Sequence, residues 1–491
     1  MFRSLLDRLF GPAQPICVSD LMQFGTDALW FEQMYSGVAL LGATGSGKTS
    51  FIELLMRAII EHNSKPGILW CCAKSDEAER AAKIARRAGR SDDFVRFSAE
   101  GSYSLDLFGY LQQNLKQTPD GIARFCDRMA GLAVANQGSG DDKTWATQSV
   151  LMNTHALNLF AAAGEPPNPQ SLFDVIVSVP KDASSAAGEA FLKHSTCGQL
   201  IVEAQLRYKA GLLSTAERTA FERAVSYFLT YLPTTGDRFL GSVMATAVTG
   251  LSPFLQPPFA QLFAGPTTIS PDVLFDGAIV ALDFPSVHGP NAFVAQAAFV
   301  QLVQMMLLRS PMGQRRPVVI LRDECQWLVS PDWDEKVQTI ARSHGIITIS
   351  ACQGHAPLIV QFGGDESARV RTQAFLGNHM THFVFAPGSD IETRDHYVNL
   401  FGQSKQLMLS GGQQPNPSPS MMDRLLGCDF VPTVGWSQNM LPLVPPEKFG
   451  DLKRGGRDHD YCIEAYLFQA GRRFSNGHPF MRIEFEQDLT S

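Results

Sequence analysis

The chain has 491 residues, 45% of them hydrophobic, which is enough for roughly two to four domains with sizeable cores and excludes wholesale disorder. Its formal net charge is −7, from 41 Lys and Arg against 48 Asp and Glu. Obligate nucleic-acid-binding proteins are usually basic, so the balance argues against such a protein. It leaves open a ring that lines its pore with basic loops.

Cysteine usage and hydropathy indicate the compartment. The nine cysteines are an odd number without a CxxC pair, and no uninterrupted run of about 18 apolar residues is present. We therefore expect a soluble, cytoplasmic protein without a transmembrane segment of its own. Apolar residues at helical spacing in residues 1–10 (MFRSLLDRLF) predict a short amphipathic element that packs on its own domain. Its alternative use is docking on a partner or a membrane surface, as a peripheral association.

The first elements alternate between strands and helices. Buried strands are predicted at 36–42, 67–72 and 94–97, with a helix after the first strand and a charged helix at 76–90. This alternation predicts an α/β fold with a mainly parallel sheet and helices on both faces.

The pattern then becomes helical and later returns to strands. Residues 105–262 predict an inserted all-helical domain, and the α/β domain is expected to comprise 36–104 and 263–491, after an N-terminal segment 1–35. The later strands are predicted at 278–284, 317–321, 345–350 and 381–385, with a terminal hairpin in 461–485. The stretch 402–420 is rich in Gln, Gly, Pro and Ser and predicts a long mobile loop.

A phosphate-binding motif follows the first strand. Gly42-Ala-Thr-Gly-Ser-Gly-Lys-Thr fits G-x-x-x-x-G-K-[ST] between a predicted strand and helix. Its glycines let backbone N–H groups turn onto phosphate oxygens, and the helix directs its positive end at them. The predicted nucleotide ligands are Gly42, Ala43, Thr44, Gly45, Ser46, Gly47, Lys48, Thr49 and Ser50. Lys48 is expected to reach the β- and γ-phosphates of ATP, and the Thr49 hydroxyl to ligate Mg²⁺.

An acidic pair follows a later strand. The strand pattern Val318-Val-Ile-Leu-Arg is followed directly by Asp323 and Glu324. We predict that Asp323 holds the metal and that Glu324 is the general base for hydrolysis. Arg322 interrupts the apolar run just before the acids. Asp283, at the end of the preceding strand, is the alternative metal-holding carboxylate, but it lacks an adjacent second acid.

The order of the motifs resembles one family. It resembles the coupling-protein ATPases of type IV secretion and conjugation, in the FtsK–HerA class of ring translocases, over about residues 35–485. Besides the phosphate-binding motif, Lys143-Thr-Trp in the helical region and Leu274-Phe-Asp-Gly fit this family. The segments that carry the resemblance are Asp323-Glu-Cys-Gln-Trp-Leu, Ala341-Arg-Ser-His-Gly-Ile, Ser350-Ala-Cys-Gln, Gln361-Phe-Gly, Asp390-Ile-Glu-Thr and Leu400-Phe-Gly.

The resemblance implies a RecA-like P-loop NTPase with roles for two further residues. Arg342 matches the arginine finger that reaches the nucleotide of a neighbouring subunit, and Gln353 matches the glutamine that senses the γ-phosphate. Two departures stand out. Members of the family usually begin with membrane-spanning helices, and their second strand usually ends in an acid where this chain has Cys72-Ala-Lys74. The role of Lys74 stays open.

The expected function is ATP hydrolysis that drives DNA or a nucleoprotein through a homo-hexameric ring into a type IV secretion machine. Whichever cargo it moves, recruitment of the protein from the cytoplasm to the inner face of the membrane stays open. One alternative function is that of a soluble secretion ATPase that energises protein export or apparatus assembly without pumping DNA. The other is an oligomeric scaffold switched by ATP. The basic residues of the helical region are scattered, so the sequence favours a motor more clearly than it identifies the cargo.

Overall fold

The computed structural model describes residues 20–135, 143–310, 315–415, 417–418, 420–427 and 430–487. The amphipathic element predicted at 1–10 lies outside these ranges. The described strands are β1 (Asp20–Phe24), β2 (Asp27–Trp30), β3 (Val38–Leu41), β4 (Gly67–Cys72), β5 (Phe94–Ser98), β6 (Ile279–Asp283), β7 (Val318–Arg322), β8 (Ile346–Cys352), β9 (Thr381–Val384), β10 (Gln403–Pro415), β11 (Phe430–Pro442), β12 (Cys462–Gln469) and β13 (Phe480–Glu486).

The α-helices lie between these strands. Those that precede β6 are α1 (Lys48–Glu61), α2 (Glu77–Arg87), α3 (Leu107–Gly109), α4 (Pro119–Ala135), α5 (Lys143–Ala163), α6 (Pro169–Val177), α7 (Ala183–Ala187), α8 (Glu189–His194), α9 (Thr196–Lys209), α10 (Thr215–Ser226), α11 (Asp237–Thr249) and α12 (Phe259–Ala264). Those that follow are α13 (Pro290–Leu308), α14 (Pro331–Ala341), α15 (His355–Gln361), α16 (Glu366–Gly377), α17 (Ile391–Phe401), α18 (Met421–Leu425) and α19 (Glu447–Gly450).

A nine-stranded sheet organises the α/β part, in the order β13-β12-β9-β3-β8-β7-β4-β6-β5. From β9 to β5 all neighbouring strands are parallel, and β12 and β13 are added antiparallel as the hairpin predicted at 461–485. Strands β3, β8 and β7 are neighbours although the chain visits them far apart. Because parallel strands end at one edge of a sheet, the loops after these three strands meet there.

Helices cover both faces of the sheet. Along β4, Leu69 belongs to the core shared with the helical region, and Ile68 and Trp70 belong to the core shared with α1 and α2. This alternation follows from the two-residue period of a strand. Every residue of β3, β4, β6, β7, β8 and β9 is buried, which agrees with the apolar runs that predicted them.

The region between β5 and β6 is helical, as predicted. Within its described residues it has helices α3 to α12 and no strand. Its hydrophobic core is continuous with one face of the sheet, where Phe97 contacts Phe263 and Phe284. The division into an inserted domain and an α/β domain stays a prediction.

One described helix is long and apolar enough to cross a membrane. It is α13, with 19 residues, and 83% of its most apolar window is buried within the protein. Its burial against the sheet and the helical region accounts for its composition.

The prediction of a long mobile loop at 402–420 is wrong. β10 pairs with β11 over thirteen consecutive residue pairs, from Gln403 with Pro442 to Pro415 with Phe430, and forms a two-stranded ribbon. Glycine and glutamine do not favour a strand by themselves, but the regular ladder pairs those of their backbone groups that face the partner strand. The short β1–β2 hairpin also had no predicted counterpart.

Candidate active site

The edge where β3, β8 and β7 end holds a cavity of about 300 Å³. The phosphate-binding loop follows β3, Gln353 follows β8, and Asp323 and Glu324 follow β7. The residues that line the cavity are Thr44, Gly45, Ser46, Gly47, Lys48, Thr49, Ser50, Lys74, Asp323, Glu324, Gln353, Arg454 and Gln487. The structure therefore brings most of the predicted site residues together. Gly42 and Ala43 precede them in the same loop.

The loop has the backbone that its sequence predicts. Gly45 and Gly47 have φ values of 72° and 93°, in the left-handed region that favours glycine. A Cβ on Gly47 would also lie 2.6 Å from a methyl carbon of Ile463, so this position is closed to larger residues. Helix α1 begins at Lys48 without a side-chain cap, which leaves backbone N–H groups of its first turn available to an anion.

Lys48 is buried under the loop. Its Nζ donates to the carbonyl oxygens of Gly42 at 2.5 Å and Ala43 at 3.2 Å. Burial lowers the pKa of Lys48, and the carboxylates of Glu324 and Asp323 act in the opposite direction. A phosphate group bound by the loop would give the ammonium the anionic partner that burial demands.

The two acids after β7 have different environments. Asp323 is 4% exposed, its Oδ1 accepts from the backbone N–H of Glu324 at 3.0 Å, and its Oδ2 lies 3.6 Å from Nζ of Lys74. The carboxylate of Glu324 accepts from Nε2 of Gln326 at 2.8 Å and of Gln353 at 3.3 Å. Glu324 also has a φ of 50°, which is uncommon for a residue with a side chain and recurs at functional sites.

Lys74 and Glu77 complete the acidic side of the cavity. Nζ of Lys74 lies 3.6 Å from both Asp323 and Glu77, and the backbone N–H of Ala73 donates to Glu77 at 2.7 Å. Burial, followed by the nearby carboxylate of Asp323, raises the pKa of Glu77. Partial burial lowers the pKa of Lys74, but the attraction of Asp323, Glu77 and Glu324 outweighs it and raises the net value. β4 ends in Cys72 without an acid, and Glu77 in the first turn of α2 places a carboxylate beside Asp323.

A magnesium ion could be held by Thr49 and Asp323 together with a bound triphosphate. Among the residues that the structure describes, no group of three His, Cys, Asp or Glu side chains is arranged to hold a metal alone. Mg²⁺ is usually held by one or two protein ligands plus substrate phosphates, so the residues present fit this ion.

Two candidates lie outside the cavity. Asp283 ends β6, which β4 separates from β7, and its carboxylate accepts from Nε of Arg96 at 2.7 Å. Arg342 is exposed in the turn that precedes β8, at the opposite edge of the sheet from the phosphate-binding loop. The structure therefore does not bring Arg342 to the nucleotide cavity of its own chain.

Arg322 is part of the core. It is 1% exposed, and its guanidinium donates to Oδ1 of Asp334 at 2.5 Å and to the hydroxyl of Ser350 at 3.1 Å. Asp334 also accepts from the backbone N–H of Ser330 at 2.9 Å and from Gln304 at 2.9 Å. The charge that interrupts the apolar strand is thus neutralised by a buried network that holds α14 on the sheet.

The sequence did not predict Glu77, Gln326, Arg454 or Gln487 as site residues. Gln326 is two positions from Glu324, and this proximity in sequence is a signal for their contact. Gln487 donates to the Ser50 hydroxyl at 3.3 Å across a separation of 437 residues. Nothing in the local sequence indicates such a contact.

The nine-stranded sheet and the cavity at the ends of its central strands define a RecA-like P-loop NTPase fold. The chain is similar to the bacterial conjugative coupling protein TrwBdeltaN70 in its unbound form, with a TM-score of 0.62 and 14% identity over 99% of this chain and 92% of that chain. TrwB in complex with ADP and Mg²⁺ gives a TM-score of 0.56, and TrwB with a non-hydrolysable ATP analogue gives 0.55, both at 14% identity and 99% coverage of this chain, with 93% and 92% of those chains.

No protein-family model and no curated protein sequence matches the chain. The likeness to TrwB at this identity establishes the fold. It confirms the predicted fold class and, at the level of fold, the resemblance to coupling-protein ATPases.

Proposed function

We propose that the chain binds ATP and Mg²⁺ and hydrolyses ATP to drive a motor that resembles the conjugative coupling proteins. One observation carries this proposal. The loop from Thr44 to Ser50, the acids Asp323 and Glu324, and Gln353 line one cavity at the ends of three neighbouring parallel strands. A phosphate cradle, a metal-holding acid and a base that lie together are the requirements of phosphoanhydride hydrolysis.

Each group then has a chemical task. The loop amides and Lys48 hold the phosphates, while Thr49 and Asp323 hold the metal. Bound Mg²⁺ would supply positive charge that neutralises the phosphate oxygens. Glu324 accepts the proton of the attacking water, and Gln353, which contacts Glu324, orients that water and senses the γ-phosphate.

The proposed assembly is a homo-hexamer in which Arg342 completes the neighbouring site. Its exposure at the edge of the sheet away from its own cavity supports this role, because a finger that acts in trans must face another subunit. The solved TrwB structures are of a conjugative coupling protein, and we extend that role to this chain. DNA and components of a type IV secretion or conjugation machine are its proposed partners, in the cytoplasm or at the inner face of the membrane.

The test is the steady-state ATPase rate across protein concentration, with and without single- and double-stranded DNA, at low and moderate salt. We expect a rate that DNA stimulates, that rises steeply with protein concentration and that salt weakens. Lys48→Ala should abolish hydrolysis, and wild-type activity in this variant would contradict the site. A rate indifferent to DNA but dependent on a membrane partner would favour the secretion ATPase. Very slow turnover with ATP-dependent assembly would favour the scaffold.

The role of Arg342 needs a separate experiment. Arg342→Ala should bind ATP as the wild type does and lose turnover. A mixture of Lys48→Ala and Arg342→Ala subunits should recover part of the activity, because one contributes an intact finger and the other an intact site. Lys336→Ala, which removes an exposed charge from the adjacent helix α14, is the matched control. Loss of ATP binding in Arg342→Ala would indicate a structural arginine instead.

A further inference from the structure

The C-terminal part of the chain forms a wall of the nucleotide cavity. Arg454 and Gln487 line it together with the phosphate-binding loop, although both are more than 400 positions away in sequence. Arg454 lies in the segment before β12, and Gln487 directly follows β13. Neither residue belongs to a motif of the phosphate-binding loop or of the acidic strand.

Strand pairing and a close apolar contact attach this wall to the loop it faces. Arg454 forms a β-bridge with Ile463, and the backbone N–H of Gly455 donates to the carbonyl of Cys462 at 2.9 Å. Ile463 in turn packs directly against Gly47 of the phosphate-binding loop. The position of Arg454 relative to the loop is therefore set by strand pairing and by a buried apolar contact.

Gln487 ties the same segment to helix α1. Its Oε1 accepts from the backbone N–H of Gly456 at 3.1 Å, and its Nε2 donates to the hydroxyl of Ser50 at 3.3 Å. Its backbone N–H also donates to the carbonyl of Tyr461 at 2.8 Å. One side chain thus spans the C-terminal segment and the first turn of α1.

Arg454 is the cation of the cavity that is not otherwise engaged. Lys48 donates to loop carbonyls and Lys74 lies between Asp323 and Glu77. Within the part of the chain that the structure describes, no hydrogen bond or ion pair engages the guanidinium of Arg454, which is exposed at the rim. A guanidinium in such a position matches the geometry of phosphate oxygens.

We propose that Arg454 binds the α-phosphate of the nucleotide from within the same subunit, and that Gln487 closes the adjoining wall towards the ribose. This inference rests on the proposed function, because it requires that the cavity binds ATP. Lys48 reaches the β- and γ-phosphates, Thr49 the metal, and the loop amides the α- and β-phosphates. The wall at Ser50, Arg454 and Gln487 lines the cavity at the end of this loop, where it can contact the α-phosphate and the ribose. Arg454 then contributes to the binding of ATP and ADP alike, in contrast to the role in turnover proposed for Arg342.

The experiment measures the Kd of MgATP, MgADP and inorganic pyrophosphate for the wild type, Arg454→Ala and Arg454→Lys, together with kcat. We expect Arg454→Ala to weaken ATP and ADP by about tenfold to a hundredfold, the usual range for a charged hydrogen bond, with pyrophosphate nearly unchanged. Arg454→Lys should recover part of the loss, and kcat at saturating ATP should change less than about threefold. Arg457→Ala, an exposed arginine of the same segment that does not line the cavity, is the matched control.

The outcomes separate this inference from the proposed function. If the wild type binds no nucleotide, the proposed function fails. If the wild type binds MgADP and Arg454→Ala binds it equally well, only the inference fails. A loss of kcat at unchanged Kd would also overturn it, since Arg454 would then act on turnover. Because Arg454 is exposed, thermal unfolding of Arg454→Ala should match that of the wild type, and a lower Tm with equal losses for ATP, ADP and pyrophosphate would indicate a structural role.

Discussion

The central strands and the β10–β11 ribbon use similar apolar residues in opposite ways. Every residue of β7 is buried and so is every residue of β8. In the ribbon, by contrast, Leu409 and Trp436 pair with each other and are each 74% exposed. Burial of apolar side chains stabilises the strands of the central sheet, whereas the two strands of the ribbon are held by their backbone pairing.

The ribbon is nevertheless regularly patterned. Its register places one set of apolar side chains on one face, and that set comprises Leu407, Leu409, Phe430, Val434, Trp436 and Met440. The other face carries mainly polar side chains, among them Ser404, Gln406, Ser437 and Asn439, but also Met408 and Leu441. Alternation of apolar and polar residues therefore predicts the two faces of a strand, but it does not predict whether the apolar face is buried.

The largest loss of stability should come from the buried ion pair between Arg322 of β7 and Asp334 of α14. Asp334→Ala leaves Arg322 buried without its counter-charge and should lower the free energy of unfolding by about 3–5 kcal/mol. Urea unfolding measures this loss. The double variant Arg322→Met with Asp334→Leu should recover much of it, because no unpaired charge remains. A single variant as stable as the wild type would mean that the pair is not buried as described.

The second largest effect should be a dependence of the free energy of unfolding on pH, caused by buried histidines at the central sheet. Burial lowers the pKa of His379 to about 3 and of His382 to about 4, with the neighbouring His382 adding to the effect on His379. In the unfolded chain both take up a proton near pH 6.5, so between these values the unfolded state binds more protons and stability falls as the pH falls. We expect a loss of about 3 kcal/mol by pH 5.5 from the two residues together.

Denaturant unfolding at pH 7.5, 6.5 and 5.5 measures this slope. Burial also lowers the pKa of His355 to about 3, so this residue adds to the slope. His382→Gln should therefore remove the share of one histidine, about 1.4 kcal/mol between pH 7.5 and 5.5. The exposed His194→Gln should leave the slope unchanged. An identical slope in His382→Gln would show that other groups cause the acid sensitivity.

The smallest effect should come from the ribbon. Trp436→Ser removes an exposed cross-strand contact and should change the free energy of unfolding by less than about 1 kcal/mol. Leu467→Ala in β12, where the side chain is 1% exposed, is the matched control and should cost about 2–5 kcal/mol. A large loss in Trp436→Ser would mean that the apolar face of the ribbon is covered in solution.

The central strands could be predicted because their information is local. An apolar run such as 317–321 and a motif such as 42–49 carry their own signal, and parallel-sheet topology then places their ends together. The ribbon could not be predicted, since its residues become strands only through pairing with positions that lie 15 (Pro415 with Phe430) to 39 (Gln403 with Pro442) residues away. The same applies to Arg322, because nothing in the local sequence indicates that Asp334 is its counter-charge. The contact of Gln487 with Ser50 could not be predicted for the same reason, since the two residues are 437 positions apart.

The attachment of the last strand to the first helix has a consequence for biosynthesis. The phosphate-binding loop leaves the ribosome early, whereas Gln487 and the Ile463 contact that back it are translated more than 400 residues later. A nascent chain therefore carries a cavity that lacks this wall until Ile463 and Gln487 have been translated. The complete site is present only in chains that extend through Gln487.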